Sequence, residues 1–132
     1  MRTVAEKLRE LENRVALEKG PFSLFALFLR DGSPDRWDLV VSAGWLEKNK
    51  EEEFNSLVKS VQSSLGTEEL ILLSRVVVVD QENPALEAVH KALRAEHDLV
   101  ELKDCNFFGL EIKHAYIITS QKLGETVRSE AS

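Results

Sequence analysis

The chain contains one cysteine, Cys105, among its 132 residues. A single thiol cannot form an internal disulfide bond, so the sequence excludes a small secreted scaffold held together by disulfides. Proteins of reducing compartments keep their thiols unpaired, and we therefore expect a cytoplasmic protein.

Long apolar stretches are also missing. The longest run, PFSLFALFL, covers residues 21–29, whereas a membrane-spanning helix needs about 20 apolar residues. Residues 1–20 are charged throughout and lack the apolar centre of a signal peptide. We expect no membrane-spanning segment and no secretory signal.

Basic residues are too few to favour nucleic-acid binding. The 17 lysines and arginines are outnumbered by 23 aspartates and glutamates, and the net charge is −6 at pH 7. An acidic surface repels the phosphate backbone, which basic patches attract. The composition therefore disfavours a nucleic-acid partner.

Motifs of recognisable chemistry are missing as well. The six glycines are scattered and form neither a G-x-G-x-x-G nor a G-x-x-x-x-G-K phosphate loop. His90 and His97 would lie about 10.5 Å apart along a helix, which is too far for one metal ion. Cys105 and His114 would lie roughly 13 Å apart along a hairpin, beyond the reach of a catalytic pair. The sequence thus predicts no cofactor, no metal site and no catalytic residue, and it favours a non-enzymatic protein.

The chain does contain enough apolar sequence for one core. Hydrophobic residues make up 43% of it, and 132 residues is a usual size for one domain. We see no linker within residues 1–120, which we expect to form a single domain. Residues 121–132 are polar, and we expect a frayed tail there.

Apolar periodicity predicts three helices and five strands. The order α-β-β-α-β-α-β-β indicates an α+β (mixed α/β) fold, in which a mixed sheet of about five strands carries three helices. The predicted helices cover residues 4–19, 51–65 and 84–97, and the predicted strands cover 22–30, 37–42, 75–80, 100–104 and 110–120.

The segment RVVVVD, residues 75–80, has β-branched residues on both of its faces. Such a strand is typical of a sheet interior with both faces covered. We expect a buried strand that is reached by a crossover connection.

The last two strands form a predicted hairpin in which Leu102 faces Ile112. This register places opposite charges across the strands in two pairs, Glu101 with Lys113 and Lys103 with Glu111. Each such pair contributes roughly 0.2–1 kcal/mol. The remaining loop is CNFFG, residues 105–109.

Two phenylalanines in that loop are unusual, because turns favour Gly, Asn, Asp, Ser and Pro. Phe107 and Phe108 either pack on the domain's own core or contact another molecule. Exposed rings at a loop tip are typical of contact surfaces, since burying one contributes roughly 1.5–3 kcal/mol. Our first hypothesis is a non-catalytic interaction or regulatory module, in which Asn106, Phe107 and Phe108 bind a protein partner or a second copy in a homodimer.

A second hypothesis places a small-molecule site, or an enzyme of unrecognised type, at the connection between the first two strands. This connection is rich in turn residues and holds charges of both signs. Its candidate ligand-binding residues are Arg30, Asp31, Asp35, Arg36 and Asp38.

Overall fold

The computed structural model describes residues 1–32 and 36–122. The prediction of an α+β domain with a five-stranded mixed sheet is confirmed, and two short helices accompany the three predicted ones. Asp35 and residues 123–132 of the predicted tail lie outside the described residues. In chain order the elements are α1 (Arg2–Lys19), β1 (Leu24–Arg30), β2 (Trp37–Ser42), α2 (Gly44–Lys48), α3 (Lys50–Ser64), α4 (Thr67–Leu70), β3 (Leu73–Val78), α5 (Pro84–Ala92), β4 (Val100–Phe107) and β5 (Leu110–Ser120).

The strands are arranged in the order β3-β2-β1-β5-β4. β1 lies at the centre and is antiparallel to both of its neighbours, whereas β2 and β3 are parallel. Leu24 to Phe28 of β1 are buried on both faces, as their continuous apolar run predicts. The sheet therefore has two cores, one on each of its two faces.

The first core lies between one face of the sheet and helices α1 to α3. α1 contributes the apolar stripe that its spacing predicts, and α3 contributes Leu57 and Val61. Phe22 packs edge to face on Phe25 and on Trp45, at ring-centroid distances of 5.0 and 5.3 Å.

The second core is covered by one short helix, α5. Its start is as predicted, because the Asn83 side chain accepts a hydrogen bond from the backbone N–H of Ala85 and Pro84 occupies the first turn. The predicted end near His97 is wrong, since α5 stops at Ala92. His97 lies in the following loop with a positive φ of 52°, and its ring contacts α1 instead of capping α5.

The prediction of a buried strand at residues 75–80 is wrong. β3 is an edge strand whose only pairing partner in the described part of the chain is β2. Val76, Val77 and Val78 are half-buried, and Arg75 is exposed. The crossover from β2 through α2, α3 and α4 is as expected, but a valine-rich composition does not distinguish an interior strand from an edge strand.

The predicted register of the last hairpin is also wrong. Leu102 pairs with Ala115, and Ile112 pairs with Cys105. β4 extends to Phe107, so the turn consists of Phe108 and Gly109, whose φ angles are 57° and 71°. Two successive positive φ values are the geometry of a tight hairpin turn that matches the twist of the strands.

Burial explains the observed register. Asp104 has a positive φ of 51°, and β5 carries a bulge at Lys113 relative to β1, so both strands change face there. Phe107 and Ile112 consequently reach the second core. Burying two large apolar side chains contributes roughly 1.5–3 kcal/mol each, which outweighs two surface charge pairs.

Candidate interaction surface

The hairpin tip does not present Phe107 to solvent. This residue is 8% exposed, and its ring stacks on that of Phe28 with centroids 5.8 Å apart. Phe108 is half-buried, 6.3 Å from the same ring, and Asn106 is exposed. Partner binding by this tip stays a prediction, and it would rest on Asn106 and on part of Phe108.

Cys105 next to the tip is half-buried. Burial raises the pKa of its thiol, so the thiolate that acts as a nucleophile is disfavoured at neutral pH. This environment is typical of a packed cysteine.

The predicted ligand-binding residues do not all converge. Arg30 and Asp38 are in contact, whereas Asp31 turns toward β5 and donates its backbone N–H to the carbonyl of Glu111 at 3.0 Å. Arg36 is exposed just before β2. Only Arg30 and Asp38 of the five therefore form a common cluster in the described part of the chain.

The cluster gains a third member, Arg75 of β3. The Asp38 side chain is 6% exposed, with Oδ2 3.1 Å from Nε of Arg30 and Oδ1 3.3 Å from Nε of Arg75. The cluster spans β1, β2 and β3, and its two guanidinium groups and one carboxylate give it a net positive charge. It ties the start of the edge strand to the centre of the sheet.

A second polar cluster lies inside the first core. Glu12 of α1 is completely buried, and its carboxylate accepts a hydrogen bond from the hydroxyl of Thr119 at 2.7 Å. Its other oxygen lies 2.5 Å from Nδ1 of His97. Through these two contacts the cluster connects α1 to β5 and to the loop after α5.

The two edges of the sheet differ in their protection against strand pairing. β4 exposes the charged residues Glu101, Lys103 and Asp104, and the positive φ of Asp104 interrupts its regular geometry. Charges and irregular backbone on an edge strand are the usual protection against pairing with another chain. These features disfavour the pairing of a further strand with β4.

The second half of the β3 edge, after Arg75, lacks this protection. Val76 to Val79 are uncharged and regular, and among the described residues no strand other than β2 pairs with β3. The backbone N–H of Val79 donates to the carbonyl of Val41 in β2 at 2.8 Å. Because successive backbone N–H groups of a strand alternate in direction, those of Val76 and Val78 point away from β2 toward the open edge.

A groove lies beside the end of this edge. Its volume is about 460 Å³, and its apolar residues are Leu46, Phe54 and Val78. The charged residues that line it are Glu47, Lys50, Glu51 and Asp80. Close to the start of β3, Ile71 exposes 63% of its surface, and among the large apolar side chains of the described residues only Leu17 is more exposed.

The sequence alone indicates part of the surface formed by the β3 edge, the groove and Ile71. Four consecutive valines indicate a strand, but the position of that strand in the sheet depends on pairings with β2 that a single sequence does not reveal. Ile71 lies in a segment without periodicity, and the groove joins α2 and α3 to β3 across the first core. Neither feature could be found before the fold was known.

Comparisons with protein-family models, with curated proteins and with solved structures find no match for this chain. Across residues 1–32 and 36–122, no helix combines the length and apolar character needed to cross a membrane. The same residues contain no group of three or more metal-binding side chains arranged around one point.

Proposed function

We propose that this chain is a non-catalytic protein-interaction module whose binding element is the open edge of β3. The partner would add a β-strand next to Val76 and Val78. In this mode backbone hydrogen bonds supply affinity and pockets beside the edge supply specificity.

The observation that supports the proposal is the difference between the two edges. β4 is protected by charge and irregular backbone, whereas β3 continues after the exposed Arg75 with three half-buried valines, residues 76–78, of which Val76 and Val78 have outward N–H groups. An unprotected apolar edge strand is a template for pairing with another chain. The adjoining groove adds an apolar surface on which a partner side chain can pack.

The compartment belongs to the same proposal. A single half-buried thiol suits a reducing environment, and we propose that the module acts in the cytoplasm.

Strand addition can be tested with a synthetic peptide that has the sequence of residues 73–80, flanked by lysines for solubility. The peptide is titrated into the isotope-labelled protein, and backbone amide shifts are followed by NMR. We expect the largest shifts at Val76 and Val78, together with slower hydrogen exchange of their N–H groups, and no shifts along β4.

Two proline variants provide the controls. Val76→Pro removes an outward N–H that makes no bond to β2, so we expect it to keep the fold and lose the peptide. Val77→Pro removes an inward N–H and should destabilise the sheet. If light scattering shows a monomer, a peptide that causes no shifts on β3 would exclude strand addition at this edge, and so would a peptide that still binds the folded Val76→Pro variant.

A second candidate function is binding of an anionic small molecule at Arg30, Asp38 and Arg75. It is supported by the surplus positive charge of the cluster and by the 54% exposure of the Arg75 side chain. Phosphate and citrate should then raise the melting temperature of the protein, and less so that of Arg75→Gln. Equal melting temperatures with and without these anions would count against this site.

A further inference from the structure

The open edge of β3 carries opposite charges at its two ends. Arg75 lies near the start of the strand with 54% of its side chain exposed. Asp80 follows the end of the strand and lines the groove together with Glu47, Glu51 and Lys50, so three carboxylates outnumber one lysine at this end. A strand therefore pairs most favourably with this edge if it places an acidic residue beside Arg75 and a basic residue beside Asp80.

A second copy of β3 meets this requirement when it runs antiparallel. A two-fold axis perpendicular to the sheet places the start of each β3 beside the end of the other. Arg75 of each copy then approaches the acidic end of the other copy. Parallel pairing would place like charges together.

The pairing register can be narrowed further. A two-fold arrangement that keeps each face of the sheet continuous can be centred on Arg75, Val76 or Val77. Centring on Arg75 sets two guanidiniums directly opposite each other, which is destabilising. Centring on Val76 sets Arg75 opposite Val77, three residues away from Asp80. Centring on Val77 lets Val76 and Val78, whose N–H groups point outward, exchange hydrogen bonds and sets Arg75 opposite Val79, next to Asp80.

Ile71 fits the same arrangement. It lies two residues before β3, so antiparallel pairing carries it past the end of β3 in the other copy, where the groove of Leu46, Phe54 and Val78 begins. Its neighbours Leu70 and Leu72 pack against the first core, which also borders the groove. Each copy would thus offer one exposed isoleucine and one apolar groove, which is the self-complementarity that a two-fold interface requires.

We propose that the strand added to β3 is β3 of a second copy, in an antiparallel two-fold dimer centred on Val77 with Ile71 of each copy in the groove of the other. This inference rests on the proposed use of the β3 edge and names its partner. The dimer joins two five-stranded sheets into one sheet of ten strands.

The oligomeric state tests the contact. We expect light scattering to give twice the chain mass for the wild type. Ile71→Glu should weaken the dimer roughly tenfold or more, because it removes one large apolar contact from each side. Leu17→Glu is the matched control, since Leu17 of α1 is 83% exposed and lies outside the proposed interface.

Cysteine crosslinking tests the register. In a Cys105→Ser background, Val77→Cys places two thiols at a directly opposed, non-hydrogen-bonded pair about 4.5 Å apart in Cα, which suits a disulfide. Val76→Cys places its two thiols diagonally, roughly 7–8 Å apart. We expect rapid oxidative crosslinking of the first variant and slow crosslinking of the second.

The outcomes separate this inference from the proposed function. A monomeric wild type that still binds the strand peptide at Val76 and Val78 overturns the dimer and leaves strand addition intact. A monomer that binds no peptide overturns both. A dimer that is unaffected by Ile71→Glu, or that crosslinks faster through Val76→Cys, overturns the arrangement described here.

Discussion

Nε of Arg75, on the outermost strand, lies 3.3 Å from Oδ1 of Asp38, a nearly buried carboxylate on the next strand. Arg30 contacts the other oxygen of the same carboxylate from β1. The edge strand β3 forms one ladder of hydrogen bonds, with β2, and the ion cluster attaches it to β1 and β2 as well. The cluster positions β3 on β2, and within residues 1–32 and 36–122 no strand pairs with the outer edge of β3.

Removal of Asp38 should therefore destabilise the protein and loosen β3. We expect Asp38→Ala to lower the free energy of unfolding by about 1–3 kcal/mol, because both guanidinium groups lose their carboxylate partner. The loss is limited because the Arg75 side chain is half exposed and can bind water instead. Arg75→Ala should cost about 1 kcal/mol or less. Urea denaturation measures both, and hydrogen exchange should accelerate at the start of β3 in Asp38→Ala. Equal effects of the two substitutions would contradict the central role of the carboxylate.

Phe107 should behave as a core residue in spite of its place next to a turn. Its ring stacks on Phe28, and Phe107→Ala should cost about 3–5 kcal/mol of stability. Leu110→Ala, at a residue on the other side of the turn that is 40% exposed, should cost about 1 kcal/mol or less. Thermal or urea unfolding of the two variants checks this, and similar stabilities would show that the Phe107 ring is not packed.

Glu12 should be essential to the first core. Glu12→Ala leaves the Thr119 hydroxyl and the His97 ring without their common partner and opens a cavity, so we expect a loss of about 2–5 kcal/mol. Glu10→Ala, at an exposed position of the same helix, should change stability by about 0.5 kcal/mol or less. A combined Glu12→Ala/His97→Ala variant should lose less than the sum of the two single variants, because both remove the same contact.

His90 should make stability depend on pH below neutrality. Burial is the main cause that lowers the pKa of its imidazole below the ordinary value of 6.5, and nearby Lys122 lowers it further, while the Ser23 carbonyl and Glu87 act in the opposite direction. The unfolded chain therefore binds a proton more readily than the folded one. The stability that neutral His90 contributes to the folded state is present above pH 6.5 and is lost as the pH falls toward the lowered pKa.

His90→Gln should remove this part of the pH dependence, since an amide can still donate to the Ser23 carbonyl that Nε2 of His90 contacts at 2.9 Å. The urea midpoint of the wild type should fall more between pH 7.5 and about 5 than that of the variant. Parallel pH profiles of the two proteins would show that His90 does not titrate differently in the folded state.

Several elements could be predicted because their signals are local. The stripe of α1, the Asn83-Pro84 start of α5 and the apolar run of β1 depend on spacing and on neighbouring residues alone. The hairpin register could not be predicted from charge pairs, because a bulge at Lys113 and the positive φ of Asp104 change which residues face the core. The Glu12–His97 contact joins residues 85 positions apart, and no local pattern indicates it.

The amino-acid sequence was enough to determine the fold class, the number of long helices and the burial of the most apolar strand on both of its faces. These features follow from composition and periodicity, which act over a few residues. Only the tertiary structure decided that the valines of β3 lie at an edge, that Phe107 turns inward and that Ile71 stays exposed. Strand order and burial are set by contacts between distant segments, and those contacts define the surface through which we propose that this chain binds.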